Sequence, residues 1–164
     1  MPKVLISDKM HKLAAQTFEK AGVEVDVKTG LSDDELKAII GNYDGLAVRS
    51  STNVTAEILN HAGKLKIIGR AGIGVDNIDV PAATAAGIVV MNTPFGNSIT
   101  TAEHAIAMMF ALAREIPAAN ASTQAGRWEK NRFMGVELTA KVLGVVGCGN
   151  IGSIVADRAL GLKM

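Results

Sequence analysis

The chain has 164 residues, 48% of them hydrophobic and 20% charged, a balance that supports a buried core and excludes a disordered or low-complexity protein. Seventeen basic and sixteen acidic residues give a formal charge of +1, so no bulk field draws nucleic acid or an anionic membrane, and any anion site has to be local. One cysteine, Cys148, excludes an internal disulfide; no N-terminal run has signal-peptide character, and none approaches the roughly 18 apolar residues of a membrane span, so a cytoplasmic protein is expected.

Short β-branched runs at Val4–Ile6, Val25–Val27, Leu46–Val48, Ile67–Gly69 and Ile88–Val90 start 21 residues apart. That spacing holds a strand, a helix and two short loops, and predicts repeated βα units with a parallel sheet. Helices are expected between the runs. Lys12–Lys20 ends at Gly22, and Ser32 reads as an N-cap before the acidic turn Asp33-Asp34-Glu35. Two more begin at Thr55-Ala56-Glu57-Ile58 and Val80-Pro81-Ala82-Ala83 and close at Gly63 and Gly87.

After Asn92 the rhythm changes. Ser98 to about Arg114 is an Ala/Met-rich helix whose apolar residues, Ile106, Met109, Phe110 and Ala113 with Ala107, Met108 and Leu112, spread over most of its circumference. Asn97 or Ser98 is placed to cap it. The polar stretch Asn120–Gly135 reads as a loop or projecting arm, and Val142–Val146 as a new strand. The domain change is expected between Asn97 and Thr101, giving domains 1–98 and 99–164.

Gly147-Cys148-Gly149-Asn150-Ile151-Gly152 follows that strand and opens a helix, the context in which GxGxxG holds a dinucleotide pyrophosphate. Gly147 permits the tight turn, Gly149 the approach of the pyrophosphate, and Gly152 close packing of helix on strand. The Asn150 and Ile151 amides sit where a helix N-terminus meets phosphate. The acidic residue that separates NAD from NADP belongs roughly 20 positions further on, past Met164. One strand and one helix amount to the first βα unit of a nucleotide-binding domain.

Arg49-Ser50 follows the third strand and Arg70-Ala71-Gly72-Ile73-Gly74 the fourth. Both lie at carboxyl ends of parallel strands, where open α/β sheets bind ligands, and an arginine beside exposed backbone N–H groups suits a carboxylate or phosphate. The plainer alternative is a pair of surface arginines in ordinary ion pairs. Arg127, Lys130 and Arg132 form a small basic patch around Trp128 and Glu129. Glu103 and His104 are adjacent on a helix and make no acid–base dyad by position. Among His11, His61, His104 and Cys148 no metal-ligand spacing and no nucleophile–base pattern appears, so no metal is expected and Cys148 is given no redox role.

Ordered blocks along the whole chain, Val48-Arg49-Ser50-Ser51-Thr52, Gly69 through Asp79, Val90-Met91-Asn92-Thr93-Pro94, Gly96-Asn97-Ser98, Thr101-Ala102-Glu103-His104, Trp128-Glu129-Lys130, Phe133-Met134-Gly135 and GCGNIG, resemble the D-2-hydroxyacid dehydrogenase family, and its phosphoglycerate-oxidising branch above all. The resemblance implies an α/β architecture: a flavodoxin-like, doubly wound substrate domain, then the start of a Rossmann domain, with the active site between the two domains. It implies NAD as cofactor, oxidation of 3-phosphoglycerate to 3-phosphohydroxypyruvate at the entry to serine biosynthesis, and a homo-oligomer built on the nucleotide domain, long helix and arm. Arg49, Ser50, Arg70 and Asn97, with the backbone at Gly72, match positions near the substrate; Lys130 or Arg132 matches an arm residue that reaches a neighbouring subunit's substrate phosphate. Gly147, Gly149, Asn150, Ile151 and Gly152 match the cofactor turn. The catalytic arginine, glutamate and histidine are expected beyond Met164, which leaves these residues alone catalytically incomplete. Two other readings stand beside this one: a glyoxylate/hydroxypyruvate reductase of the same family, and a non-catalytic binding or assembly module using the apolar stripe at 106–113.

Overall fold

The computed structural model describes residues 1–164, and the chain divides into two units, Met1–Gly96 and Asn97–Met164. In the first, five strands, β1 (Lys3–Ile6), β2 (Glu24–Val27), β3 (Gly45–Val48), β4 (Ile67–Arg70) and β5 (Val89–Asn92), pair in parallel in the order β2-β1-β3-β4-β5. This is the flavodoxin-like doubly wound order, which reverses direction beside β1. Four helices connect the strands: α1 (Leu13–Lys20), α2 (Asp33–Ile40), α3 (Ala56–Leu59) and α4 (Val80–Ala85).

Period-two alternation sends side chains of the central strands to opposite faces. Leu5, Leu46 and Val48 join Leu36, Ile40, Ile58 and Ile68 in the larger core cluster, while Val4, Ile6 and Ala47 pack with Ala14 and Phe18. Strand β3 is buried along its whole length, as a central parallel strand covered on both faces should be. Helix α2 begins with a capping box: the Glu35 N–H donates to Ser32 Oγ at 3.3 Å and the Ser32 N–H to Glu35 Oε2 at 2.8 Å. Thr55 and Asp79 cap α3 and α4 through their side chains. Strand β5 starts one residue later than the expected Ile88–Val90, because the Ile88 N–H still closes the end of α4 on the Ala83 carbonyl at 2.8 Å.

The second unit holds α5 (Ser98–Ala113), α6 (Ile116–Gln124) and α7 (Asn150–Gly161). Here the structure corrects three expectations. Val142–Val146 forms no strand: a ladder needs a neighbouring strand, this unit supplies none, and Val142 and Val146 are 96% and 104% exposed. Residues 120–124 are helical rather than part of a loop, because Glu115, in the left-handed region at φ 52°, ends α5 and Pro117 starts a new helix that runs to Gln124. Asn97 makes no side-chain cap on α5, and the buried Ser98 Oγ has no partner. Helix α7 lies against α5, with Ala102 and Ala159 buried and Arg158 paired to Glu103 at 3.2 Å. No helix is long and apolar enough to cross a membrane.

Candidate functional site

In the first unit the segments leaving β1, β3, β4 and β5 gather at the carboxyl edge of the sheet, and this edge brings Arg49, Ser50, Arg70 and Gly72 together. Arg49 and Ser50 are exposed. The Arg49 guanidinium leans toward the segment after β1, donating to the Lys9 carbonyl at 3.3 Å. A cleft of about 510 Å³ opens there, lined by Asp8, Lys9, Thr29, Gly30 and Arg49 to Ser51.

Arg70 is held differently. Its side chain is 11% exposed; Nε donates to the Arg49 carbonyl at 3.3 Å, one terminal nitrogen to the Gly74 carbonyl, and the other stands 3.6 Å from Asp76 Oδ1. Arg70 thus braces its own loop, and an anion bound here competes with Gly74 and Asp76 for the guanidinium. The loop is tied to the end of β5 as well, where Thr93 donates from N and Oγ1 to the Gly72 carbonyl at 2.9 and 3.2 Å and Asn92 Nδ2 donates to Ile73 O at 2.6 Å.

Two residues of this edge escaped the sequence reading. Asp8, 4% exposed, lies just past β1 as Arg49 lies just past β3, and Asn77 closes the Arg70 loop. Burial pushes the Asp8 carboxyl up, but bonds from the Thr52 hydroxyl and the amides of Arg49, Thr52 and Ser51 outweigh it and hold its pKa below the ordinary value. The only available signal was position: an acid directly after a strand's carboxyl end.

The second unit carries the remaining candidates. Gly147 takes φ 93°, which a side chain rarely tolerates, and makes the turn. A Cβ on Gly152 would lie 2.1 Å from the Gly147 carbonyl oxygen, so the start of α7 packs directly on the turn. Gly149 faces open space, with nothing within 4 Å of where its Cβ would stand. The first amides of α7, at Asn150 and Ile151, therefore border a surface that a phosphate can approach, and the residues fit the pyrophosphate of a dinucleotide. Asn97 is exposed, its side chain uncommitted to the helix it precedes. In the arm, Glu129 accepts from Ser122 Oγ at 2.5 Å, Arg127 Nε at 3.3 Å and Arg132 at 3.2 Å. Those bonds, the Ser122 hydroxyl first, lower the Glu129 pKa against a smaller effect of burial. Arg132 is engaged by Glu129 and by the Phe133 ring at 5.2 Å, whereas Lys130 is exposed.

A flavodoxin-ordered sheet with arginines at its carboxyl edge stands in one chain with a GxGxxG turn that opens a helix and suits a dinucleotide pyrophosphate. The chain belongs to the D-isomer specific 2-hydroxyacid dehydrogenases: the model of that family's catalytic domain matches residues 4–156. It is 53% identical to D-3-phosphoglycerate dehydrogenase of Synechocystis over its whole length, which covers 30% of that relative. It is 52% identical to the enzyme of the same name from Archaeoglobus fulgidus, covering 99% of this chain and 31% of the relative. The chain thus spans about a third of the length of the curated relatives it matches. Among solved structures it is similar to the TT0316 protein of Thermus thermophilus, with TM-score 0.90 and 32% identity over 99% of this chain and 54% of that one. It is also similar to the NAD+-bound 3-phosphoglycerate dehydrogenase of Entamoeba histolytica, with TM-score 0.79 and 34% identity over 99% and 52%.

Proposed function

We propose that this chain supplies the substrate edge and the pyrophosphate turn of an NAD-dependent oxidation of 3-phosphoglycerate to 3-phosphohydroxypyruvate, the first step of serine biosynthesis, in the cytoplasm. The observation that carries this reading is the carboxyl edge of the first unit, where exposed Arg49 and Ser50 stand beside the braced Arg70–Gly74 loop. Such an edge suits a small dianion or trianion, with guanidinium groups for carboxylate and phosphate and backbone N–H groups beside them. Arg49, Ser50, Arg70, the Gly72 backbone and Asn97 bind the substrate, and Lys130 or Arg132 serves the phosphate of a neighbouring subunit in a homo-oligomer. Residues 1–98 act as the substrate domain. Residues 99–164 carry the linking helix, the arm and the cofactor turn, where Gly147, Gly149 and Gly152 shape the backbone and the Asn150 and Ile151 amides hold the pyrophosphate. Bound NAD would supply the hydride acceptor for oxidation at C2 of the substrate. The C2 hydroxyl proton goes to a base that none of His11, His61 and His104 is assigned to be, so residues 1–164 alone are expected to form no NADH.

Titration of purified residues 1–164 with 3-phosphoglycerate, followed by amide NMR, tests the reading. Shifts should centre on Arg49–Ser51 and Arg70–Gly74. An equal response to glyoxylate and hydroxypyruvate, which lack the phosphate, would move the assignment to the glyoxylate/hydroxypyruvate reductases of the family. No response to any of the three would remove it, and NADH formation dependent on Arg49 or Arg70 would overturn the expected incompleteness.

A further inference from the structure

The turn from Arg49 to Thr52 is gripped by two side chains of opposite chemistry. The Asp8 carboxylate takes its donors: Oδ2 accepts the N–H groups of Arg49 at 2.6 Å, Ser51 at 3.3 Å and Thr52 at 3.2 Å, and Oδ1 accepts the Thr52 hydroxyl at 2.7 Å. That hydroxyl also lies 3.0 Å from Ser7 Oγ. Asn77 takes its acceptors, with Nδ2 donating to the Arg49 carbonyl at 2.7 Å and the Thr52 carbonyl at 2.6 Å. The backbone of Asn77 is tied to the same segment, because the Val54 N–H donates to its carbonyl at 2.7 Å.

A surface turn satisfies its backbone with water at no cost, whereas this one draws in a carboxylate that is 4% exposed. Burying an ionised group is offset here only by the four bonds it accepts, and all four end on residues 49–52. The grip immobilises the backbone, while Arg49, Ser50 and Ser51 stay exposed to solvent. Pre-ordering of that kind removes the entropy a floppy loop would lose on meeting a ligand.

We propose that Asp8 and Asn77 are positioning residues for the anionic substrate: they hold the Arg49–Thr52 turn so that Arg49 and Ser50 meet 3-phosphoglycerate already aligned. The proposal rests on the reading of Arg49 and Ser50 as substrate contacts. Neither Asp8 nor Asn77 touches the substrate in this scheme; both act through the turn.

The experiment compares residues 1–164 as wild type, D8A, D8N and N77A, with D26N as control, by calorimetric titration with 3-phosphoglycerate after circular dichroism has confirmed folding. D26N removes the charge paired with Lys3 and weakens the bond from Tyr43, which then ends on a neutral amide oxygen, away from the Arg49 turn, so it lowers stability without touching the site. D8A strands three N–H groups and a hydroxyl and is expected to weaken binding about tenfold or more per folded molecule. D8N falls between, since its amide oxygen can still face the N–H groups while its NH2 donates to the Thr52 hydroxyl. N77A weakens binding less than D8A, because Arg70 Nε remains on the Arg49 carbonyl. D26N is expected to bind as wild type does. Wild-type affinity in D8A, or an equal loss in D26N, overturns the proposal while the substrate reading stands; should D8A fail to fold, wild-type affinity in both D8N and N77A does the same. A wild-type chain that binds no 3-phosphoglycerate overturns the substrate reading and the proposal with it.

Discussion

The two units solve the problem of burial differently. In Met1–Gly96 the helices and the sheet cover one another, and Leu5, Ile40, Ile58 and Ile68 are almost wholly withdrawn from water. In Asn97–Met164 the buried residues are Ser98, Ala102, Ser122 and Ala159, while Leu112, Val142, Val146 and Leu160 are 68% exposed or more. Burial of large apolar side chains is the main favourable term in folding, so the first unit carries its own stabilisation and the second carries little. The cofactor turn therefore sits on the weaker frame and the substrate edge on the stronger. Amide exchange should separate them: β1 and β3 opening only with the whole first unit, α5 to α7 opening locally at lower cost.

The largest effect that bears on this contrast comes from a cavity. Ile58, 0% exposed in the main cluster, should lose about 2–5 kcal/mol as Ile58→Ala, by lost transfer energy and an unfilled hole. Leu112→Ala removes a side chain of similar size that is 81% exposed, and should stay within about 0.5 kcal/mol. Chemical denaturation followed through the amide resonances of each unit measures both. Comparable losses from the two substitutions would show that Leu112 is covered in solution and the contrast is wrong.

The same contrast explains what could be read in advance. The strands of the first unit were legible because each meets its partners inside the unit, so β-branched runs and glycine-ended helices became the expected parallel sheet. Val142–Val146 has the same composition and forms no ladder, because composition records strand propensity and not the partner that realises it. Helix α6 was hidden by the polar residues Asn120 to Gln124, which look like a loop unless the restart at Glu115 and Pro117 is known. At the site, Arg49 and Arg70 could be placed from their positions after β3 and β4. The roles of Asp8 and Asn77 could not, since their bonds span 41 and 28 residues, and neither could the commitment of Arg70 to Gly74 and Asp76.

A smaller effect tests the cofactor turn within the weaker unit. Gly152→Ala puts a Cβ 2.1 Å from the Gly147 carbonyl oxygen and 3.2 Å from Val145 Cγ1, so the turn or the helix must shift, at about 1–3 kcal/mol of local stability. Gly161, at the far end of α7, has nothing within 4 Å, and Gly161→Ala should instead gain up to about 1 kcal/mol. Opposite signs at the two ends of one helix, read from amide exchange in α7, would tie the Gly152 cost to contact rather than to helix propensity. The first unit should be unaffected by either. A neutral Gly152→Ala would mean that α7 does not press on the turn.

The smallest effect compares how the two units start a helix. Ser32 caps α2 in a reciprocal box with Glu35, and Ser32→Ala should cost about 1 kcal/mol. Asn97 occupies the same position before α5 and is as good a cap by residue type, yet its side chain makes no cap bond, so Asn97→Ala should leave thermal stability nearly unchanged. That freedom gives Asn97 its diagnostic value. If Asn97→Ala keeps the melting temperature but weakens 3-phosphoglycerate binding, the side chain is committed to the ligand rather than to the helix. If it lowers the melting temperature as much as Ser32→Ala does, Asn97 is a cap in solution and its place among the substrate contacts is lost.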